Sequence, residues 1–419
     1  MTITSEWRRI GPAHWALIDQ ALVSAATFAV GILLARALDP EGLASYSLAI
    51  STVLCLASVH RALVAQPLNI LGAQESHGQR LRRYRNMLRL QTWMLPAMAV
   101  VVLAAGWAFF PIPGLMLGAA LYAGVFALHD LIRRYHYTDG QIHNAVPGDV
   151  LGYGGQGALL LLLVVMAWPV SASGAFWYLM LPLVVSAIWM HGLIRNSGQG
   201  AADGLGPKEH LVQHWGNARW VVLSQLVWIG ASQLIPFQLA AYAQPQDVAA
   251  YHAANALMNA LNVFRLTLGN YLPGRSARVF AQGGAEALRR YLRRVSLACL
   301  GLTVVAFLFF ELTGDFWIDW LFAGKYQDAK LVVPAMALVH LLAMSSLISA
   351  AGAQVMGATQ VMFWSNAVAT VMTFTLGSWA IHTWGLWGSV LALAIGLLLP
   401  ALVQAVHLSV HFRSRLGQV

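Results

Sequence analysis

The sequence predicts an all-α membrane protein of about twelve transmembrane helices, arranged as two six-helix lobes related by a pseudo-two-fold axis along the membrane normal. Three observations predict it. Hydrophobic residues make up 58% of the 419 and charged residues 10%, with a mean hydropathy of +0.63, whereas a soluble domain carries roughly 25% charge. Apolar stretches of the ~20 residues needed to cross ~30 Å of hydrocarbon recur along the chain, and in lipid the backbone must satisfy its own hydrogen bonds, which favours helices. The first half of the chain is echoed in the second.

The stretches begin near residues 13, 43, 91, 113, 144 and 175 in the first half, and near 218, 245, 295, 330, 361 and 384 in the second. Met1 to Ala13 carries Arg8 and Arg9 but leads into an apolar run too long for a signal-peptide core, so the first span is expected to be retained. The second follows through a short turn containing Pro40. Arg80, Arg82, Arg83, Arg85 and Arg89 precede the third, Arg133 and Arg134 end the fourth, and Arg195 ends the sixth. Asn196 to Gly216, polar and glycine-rich, reads as a linker, giving lobes at 1–195 and 217–419. Arg275, Arg278, Arg289, Arg290, Arg293 and Arg294 precede the ninth span, and Arg413 and Arg415 follow the last. With the N-terminus inside, nearly all basic residues of the connections fall on one side, leaving only Lys325 and Lys330 on the other. This asymmetry puts both termini in the cytoplasm. The net charge of +9 is thereby explained by topology and contact with anionic lipid, without a nucleic-acid partner.

Shifting the chain by 205 positions pairs Trp15 with Trp220, Gln20 with Gln225, Leu34 with Leu239, Pro40 with Pro245, Ala44 with Ala249 and Tyr46 with Tyr251. With a slip of one residue the shift carries Arg61 to Arg265. Equivalent halves running in the same direction imply a parallel repeat, as in transporters that bind substrate between halves. Arg61 and Arg265 lie within long apolar runs, where a guanidinium costs at least ~3 kcal/mol unless it faces a partner or a wet cavity. His252, Asn255, Asn259, Asn262 and Arg265 recur at three- and four-residue spacing, one side of a helix. Ser47, Ser51, Ser58 and Arg61 echo this in the second span, and Gln20, Ser24 and Thr27 in the first. Helix-to-helix hydrogen bonding is the competing explanation, as strong as cavity lining for the serines and weaker for the asparagines.

Other motifs take bland explanations. Gly152, Gly154 and Gly157 spell a dinucleotide fingerprint but lie in an apolar span without a preceding strand, so helix packing explains them. His129, Asp130, Arg133 and Arg134 are expected at a cytoplasmic helix end, and Arg36 and Arg219 near span ends, where long side chains snorkel. Asp19 reads as a polar anchor first and an ion-coupling carboxylate second. Trp317, Trp320, Trp384 and Trp387 read as interfacial aromatics. Cys55 and Cys299 give no disulfide or metal framework, and no cofactor or metal site is expected.

The opening helix pair, Trp15 to Gln20 and Gly31 to Ala37 with Asp39, Pro40, Glu41, Gly42 and Tyr46, resembles that of the polysaccharide flippases of the multidrug, oligosaccharidyl-lipid and polysaccharide exporter superfamily. Arg133 to Tyr135 and Gly324, Tyr326, Ala329 and Gly385 to Gly388 agree with it. The resemblance is diffuse but covers nearly the whole chain. It implies a bacterial inner-membrane protein, not an enzyme, that moves an undecaprenyl-pyrophosphate-linked oligosaccharide outward by alternating access, alongside other polysaccharide-assembly proteins. It also implies that cavity cations, here Arg61 and Arg265, engage the pyrophosphate, with His252, Asn255, Asn259, Asn262, Gln20 and Gln225 as further substrate-binding candidates. Two alternatives stand beside it. A multidrug-type cation-coupled exporter shares the fold, and Asp19 would serve it. A membrane-embedded glycan polymerase or ligase needs a substantial outer loop, and the longest expected here is Thr313 to Lys330.

Overall fold

The computed structural model describes residues 12–72, 75–196, 215, 222–223, 226–230, 233–356 and 360–416. Apart from short connections these are helical, with no strand among them. The chain divides into two units, Met1–Leu226 and Val227–Val419. Most of the expected linker, residues 197–214, lies outside the described residues.

In the first unit α1 (Pro12–Ala37) turns through Leu38 and Asp39 into α2 (Pro40–His60). Pro40 occupies the first turn, where its missing N–H costs nothing, and the Asp39 carboxylate accepts from the Gly42 N–H at 2.8 Å. A π-helical turn at Arg61–Ala65 joins α2 to α3 (Gln66–Gly72). Then follow α4 (His77–Phe109), α5 (Pro113–Thr138) and α6 (Ile142–Asp149), the last continuing through a second π turn, Val150–Gly154, into α7 (Gly155–Val165), and finally α8 (Ala172–Asn196). α5 is central, packed on α2, α4 and α8. Lipid tails are as apolar as leucine, so helix association rests on close approach. Glycine supplies it: a Cβ on Gly148 would sit 2.4 Å from Met190 Sδ, and one on Gly118 3.1 Å from Phe176 Cβ. Near the ends of α4, α5 and α8 the helices close on Leu68, Tyr84, Met87, Leu131, Tyr135 and Met190.

The second unit contains α9 (Ile235–Tyr242), α10 (Pro245–Met258), a 3-10 turn at Asn259–Leu261, and α11 (Asn262–Phe322). α11 is two arms joined at a bend, where Gly284 has φ +65° and ψ −161°, a conformation open essentially to glycine alone. After it come α12 (Gln327–Leu342), α13 (Met344–Val355) and α14 (Gln360–Met372), then a third π turn (Thr373–Gly377), α15 (Ser378–Trp384) and α16 (Leu386–Leu416). The internal repeat is visible in local packing. Pro40 and Pro245 both open their helices, and Leu34 and Leu239, Ala44 and Ala249, and Tyr46 and Tyr251 are buried in both units.

Among the described residues nine helical segments are long and apolar enough to cross a membrane, six of them the expected spans of the first half. The expected outer loop from Thr313 to Lys330 is not a loop. α11 runs to Phe322, and only Ala323 to Tyr326 separate it from α12. The polar residues that suggested a loop are satisfied locally: Thr313 Oγ1 donates to the Phe309 carbonyl at 2.6 Å, and Asp319 accepts from Gln327 at 2.9 Å and Lys330 at 2.7 Å. The expected interfacial tryptophans Trp320, Trp384 and Trp387 are exposed.

Candidate functional site

A dense polar cluster of the first unit grows from the last three turns of α5. His129, Arg133 and Tyr137 share one face, and Asp130 and Arg134 the adjacent one, by four-residue spacing. Arg133 is buried and joins three helices: Nε donates to Asp149 at the end of α6, and Nη2 donates to Asp19 of α1. Tyr137 Oη also donates to Asp19, and its ring lies 5.2 Å from the guanidinium carbon. Both carboxylates are fully buried. Each keeps a second oxygen, Oδ1, without a hydrogen bond among the described residues.

Around this core the smaller groups are ordered by glycines. Ser186 Oγ donates to the Gly148 carbonyl at 2.6 Å, so its oxygen accepts from His129 Nε2 at 2.9 Å. A Cβ on Gly152 would meet His129 Nε2 at 3.1 Å. Of the three fingerprint glycines, Gly152 alone makes a close approach to another helix. A Cβ on Gly157 would meet nothing within 4 Å.

Beside this core Asp130, 5% exposed, is shared by two further arginines. Arg61 Nε donates to its Oδ2 at 3.3 Å, and Arg134 Nε lies 3.5 Å from its Oδ1. His60, next to Arg61, donates from Nε2 to Gln91 Oε1 at 3.1 Å. Nearer the chain reversals, Arg83 grips Glu75 at 2.5 Å and 3.0 Å, and Arg80 and His77 grip Asp139 at 2.5 Å and 3.0 Å. These pairs tie the α3–α4 turn to the end of α5.

Three expectations are corrected here. Asp19 is not a lone anchor but one of two carboxylates on a shared arginine. His129, Asp130, Arg133 and Arg134 do not all snorkel: the first three are buried, because α1 and α6 bring acidic partners to them. Arg61 lies deep in an apolar run by sequence, yet the 21 residues of α2 precede it, so at ~1.5 Å per residue it stands ~32 Å from Pro40, about one hydrocarbon thickness away.

In the second unit α10 turns a single face outward. From Val248 to Met258 every residue is buried except His252 and Asn255, and Asn259 continues their line, also half-buried. The 3-10 turn interrupts that line before Arg265, which is half-buried. Among the described residues no carboxylate pairs with Arg265, and His340 of α12 is near enough to feel its charge. In the first unit Ser47 and Ser51 are packed inside, Ser58 Oγ donates back to the Leu54 carbonyl at 2.9 Å, and half-buried Gln20 donates to Ser24 Oγ at 3.3 Å. Gln225, Arg219 and the side chain of Asn262 lie outside the described residues. Among the described residues no three His, Cys, Asp or Glu side chains gather as a metal site would require.

Sequence reasoning passed over Asp149. A carboxylate within an apolar span is the same signal that singled out Arg61 and Arg265.

The fold, all-helical among the described residues and divided into two units, is like that of the MATE transporters of the MOP superfamily. The chain is similar to the inward-facing conformation of a multidrug resistance MATE family transporter of that superfamily, with a TM-score of 0.73 and 16% identity, covering 95% of this chain and 98% of the other. It is similar to an outward-facing conformation of such a transporter, with a TM-score of 0.64 and 15% identity over 99% of both chains. A third similar structure is a MOP superfamily transporter from Pyrococcus furiosus, described as having a binding pocket of reverse polarity that suggests a different function, with a TM-score of 0.65 and 15% identity over 99% of both chains. Neither a protein-family model nor a curated protein sequence matches the chain.

Proposed function

We propose that this protein is a transporter that carries an undecaprenyl-pyrophosphate-linked oligosaccharide from the cytoplasmic to the periplasmic leaflet of a bacterial inner membrane, by alternating access between its two lobes. The observation that supports it is surplus positive charge. In the first unit three arginines, Arg61, Arg133 and Arg134, are matched by Asp19, Asp130 and Asp149, so the surplus lies in the second unit, where no carboxylate pairs with half-buried Arg265 among the described residues. A guanidinium without a carboxylate partner calls for an anionic one, and arginine offers a planar fork suited to bidentate phosphate contacts. His252, Asn255 and Asn259, on the one open face of α10, supply donors and acceptors suited to sugar hydroxyls.

Replacing Arg61 and Arg265 together by alanine is expected to abolish complementation of a deletion strain while leaving the protein in the membrane, and lysine should restore it poorly. Full complementation by the double alanine variant would reject the reading.

A multidrug-type exporter coupled to a cation is the second reading, favoured by the buried Asp19 and Asp149. It predicts that Asp19→Asn stops transport, and that a cationic dye, rather than a lipid-linked glycan, is moved in proteoliposomes. A glycan polymerase would instead lengthen the lipid-linked glycan in the same vesicles.

A further inference from the structure

We propose that each unit carries, on its outer surface, the same binding site for an anionic phospholipid: Arg85 and Arg89 of α4 in the first unit, and Arg290 and Arg294 on the second arm of α11 in the second. The lipid is a constituent of the surrounding bilayer and not the cargo, so such a site is independent of what the protein transports.

The shift of 205 positions that relates the two halves carries Arg85 to Arg290 and Arg89 to Arg294. All four are exposed, and no carboxylate pairs with any of them among the described residues. Between the two arginines of each pair the same shift carries Met87 to Leu292, and both of these are buried in the core of their own unit. Residues two positions apart point to opposite sides of a helix, so the packing of Met87 and Leu292 turns each arginine pair outward. Retention of positive charge on one side of the membrane accounts for how many arginines stand at a helix end, and leaves open the face they take. On α4 the two roles separate. Arg80 and Arg83 turn in to Asp139 and Glu75, whereas Arg85 and Arg89 are left to the surface.

Below each pair the same face is apolar. From Arg89 it runs through Val100, Leu103 and Trp107, and the shift places Val305, Leu308 and Leu312 at the same steps from Arg294, all six exposed. These positions recur at three- and four-residue spacing, one side of a helix. Val100 and Val305 each lie eleven residues beyond the arginine, ~16 Å at ~1.5 Å per residue, about one leaflet of a ~30 Å hydrocarbon core. An anionic phospholipid matches both parts of this face: its phosphate meets two guanidiniums, and its acyl chains lie along the apolar steps. A phosphatidylcholine headgroup brings its own cation to the arginines, so the face selects a lipid of net negative charge.

The test uses the full-length protein in vesicles of phosphatidylcholine that hold a small fraction of photoreactive phosphatidylglycerol or photoreactive phosphatidylcholine, each with the reactive group on an acyl chain. Cross-linked peptides are mapped by mass spectrometry. Each arginine near an anionic headgroup strengthens binding about fivefold, so phosphatidylglycerol is expected to label residues 93–107 and 297–312 at least ~10-fold more than phosphatidylcholine does. Arg85→Gln with Arg89→Gln should remove the excess from 93–107 and leave it at 297–312, and Arg290→Gln with Arg294→Gln should do the reverse. Lysine at all four positions keeps the charge and should keep most of the excess. In the wild type ~1 M KCl, which shortens the screening length to ~3 Å, should erase it, a result that needs no variant to fold. Equal labelling by the two lipids, an excess that survives both glutamine pairs, or an excess unmoved by salt overturns the sites, and loss of both excesses from either pair alone overturns their assignment as one to each unit.

Discussion

Arg133 concentrates the energetic risk of the first unit in one side chain. Two fully buried carboxylates depend on it, and removing one partner of a buried ion pair typically costs ~3–5 kcal/mol because the remaining charge is stranded. Arg133→Gln is therefore expected to lower the unfolding temperature sharply in detergent, measured by fluorescence-detected size exclusion after heating. Adding Asp19→Asn and Asp149→Asn should recover much of the loss, since a neutral amide network strands nothing. Equal unfolding temperatures for the single and triple variants would show that the carboxylates are not what Arg133 stabilises. The spacing of His129, Asp130, Arg133, Arg134 and Tyr137 was legible along α5, but the partners were not. Asp19 is 114 positions from Arg133, and no periodicity within a helix reports on a side chain that far away. Snorkelling was the natural expectation for arginines near a helix end. It failed because Gly148 and Gly152 let α8 and His129 approach closely, and because α1 and α6 deliver acids to the same level.

At the scale of elements, the spans were readable because apolar length is a local property, and the described helices begin within a few residues of most expected starts. The breaks inside them were not readable. The π turns at Arg61, Val150 and Thr373 carry no proline of their own, so no residue within them signals the change of pitch. The junction of α15 and α16 depends on close backbone approach: a Cβ on Gly388 would lie 2.1 Å from the Ala380 carbonyl oxygen and 2.5 Å from the Ile381 nitrogen. A flexible side chain could yield there, but backbone cannot. Gly388→Ala should cost about 1–3 kcal/mol by overpacking, whereas Gly157→Ala, with open space around it, should be neutral or slightly stabilising in its helix. Comparing their unfolding temperatures checks this, and similar values for the two would contradict the packing described.

Across the whole molecule, the proposed function has an electrical consequence. A pyrophosphate lipid leaving a negative interior gains ~2.3 kcal/mol per charge per 100 mV if the arginines stay behind. Under the proposed function, collapsing the potential with valinomycin and potassium, with pH and sodium gradients fixed, should slow flipping, and Asp19→Asn should retain substantial transport provided it folds. Flipping that ignores the potential but stops in Asp19→Asn would assign the driving force to the buried carboxylates instead. The two-unit organisation was legible from the repeat, since paired residues such as Tyr46 and Tyr251 reveal equivalent packing without any knowledge of where it occurs.

The 3-10 turn at Asn259–Leu261 accounts for an irregularity in that repeat. Tyr46 falls on Tyr251 at one shift, but Arg61 reaches Arg265 only when the second half is one residue shorter. A 3-10 segment climbs ~2.0 Å per residue against ~1.5 Å in an α-helix, so three of its residues cover the axial distance of four ordinary ones. The missing residue is thus made up in pitch, and each arginine stands at the same height above its tyrosine. The gap an aligner would open between the halves is a change of winding, with no loss of length.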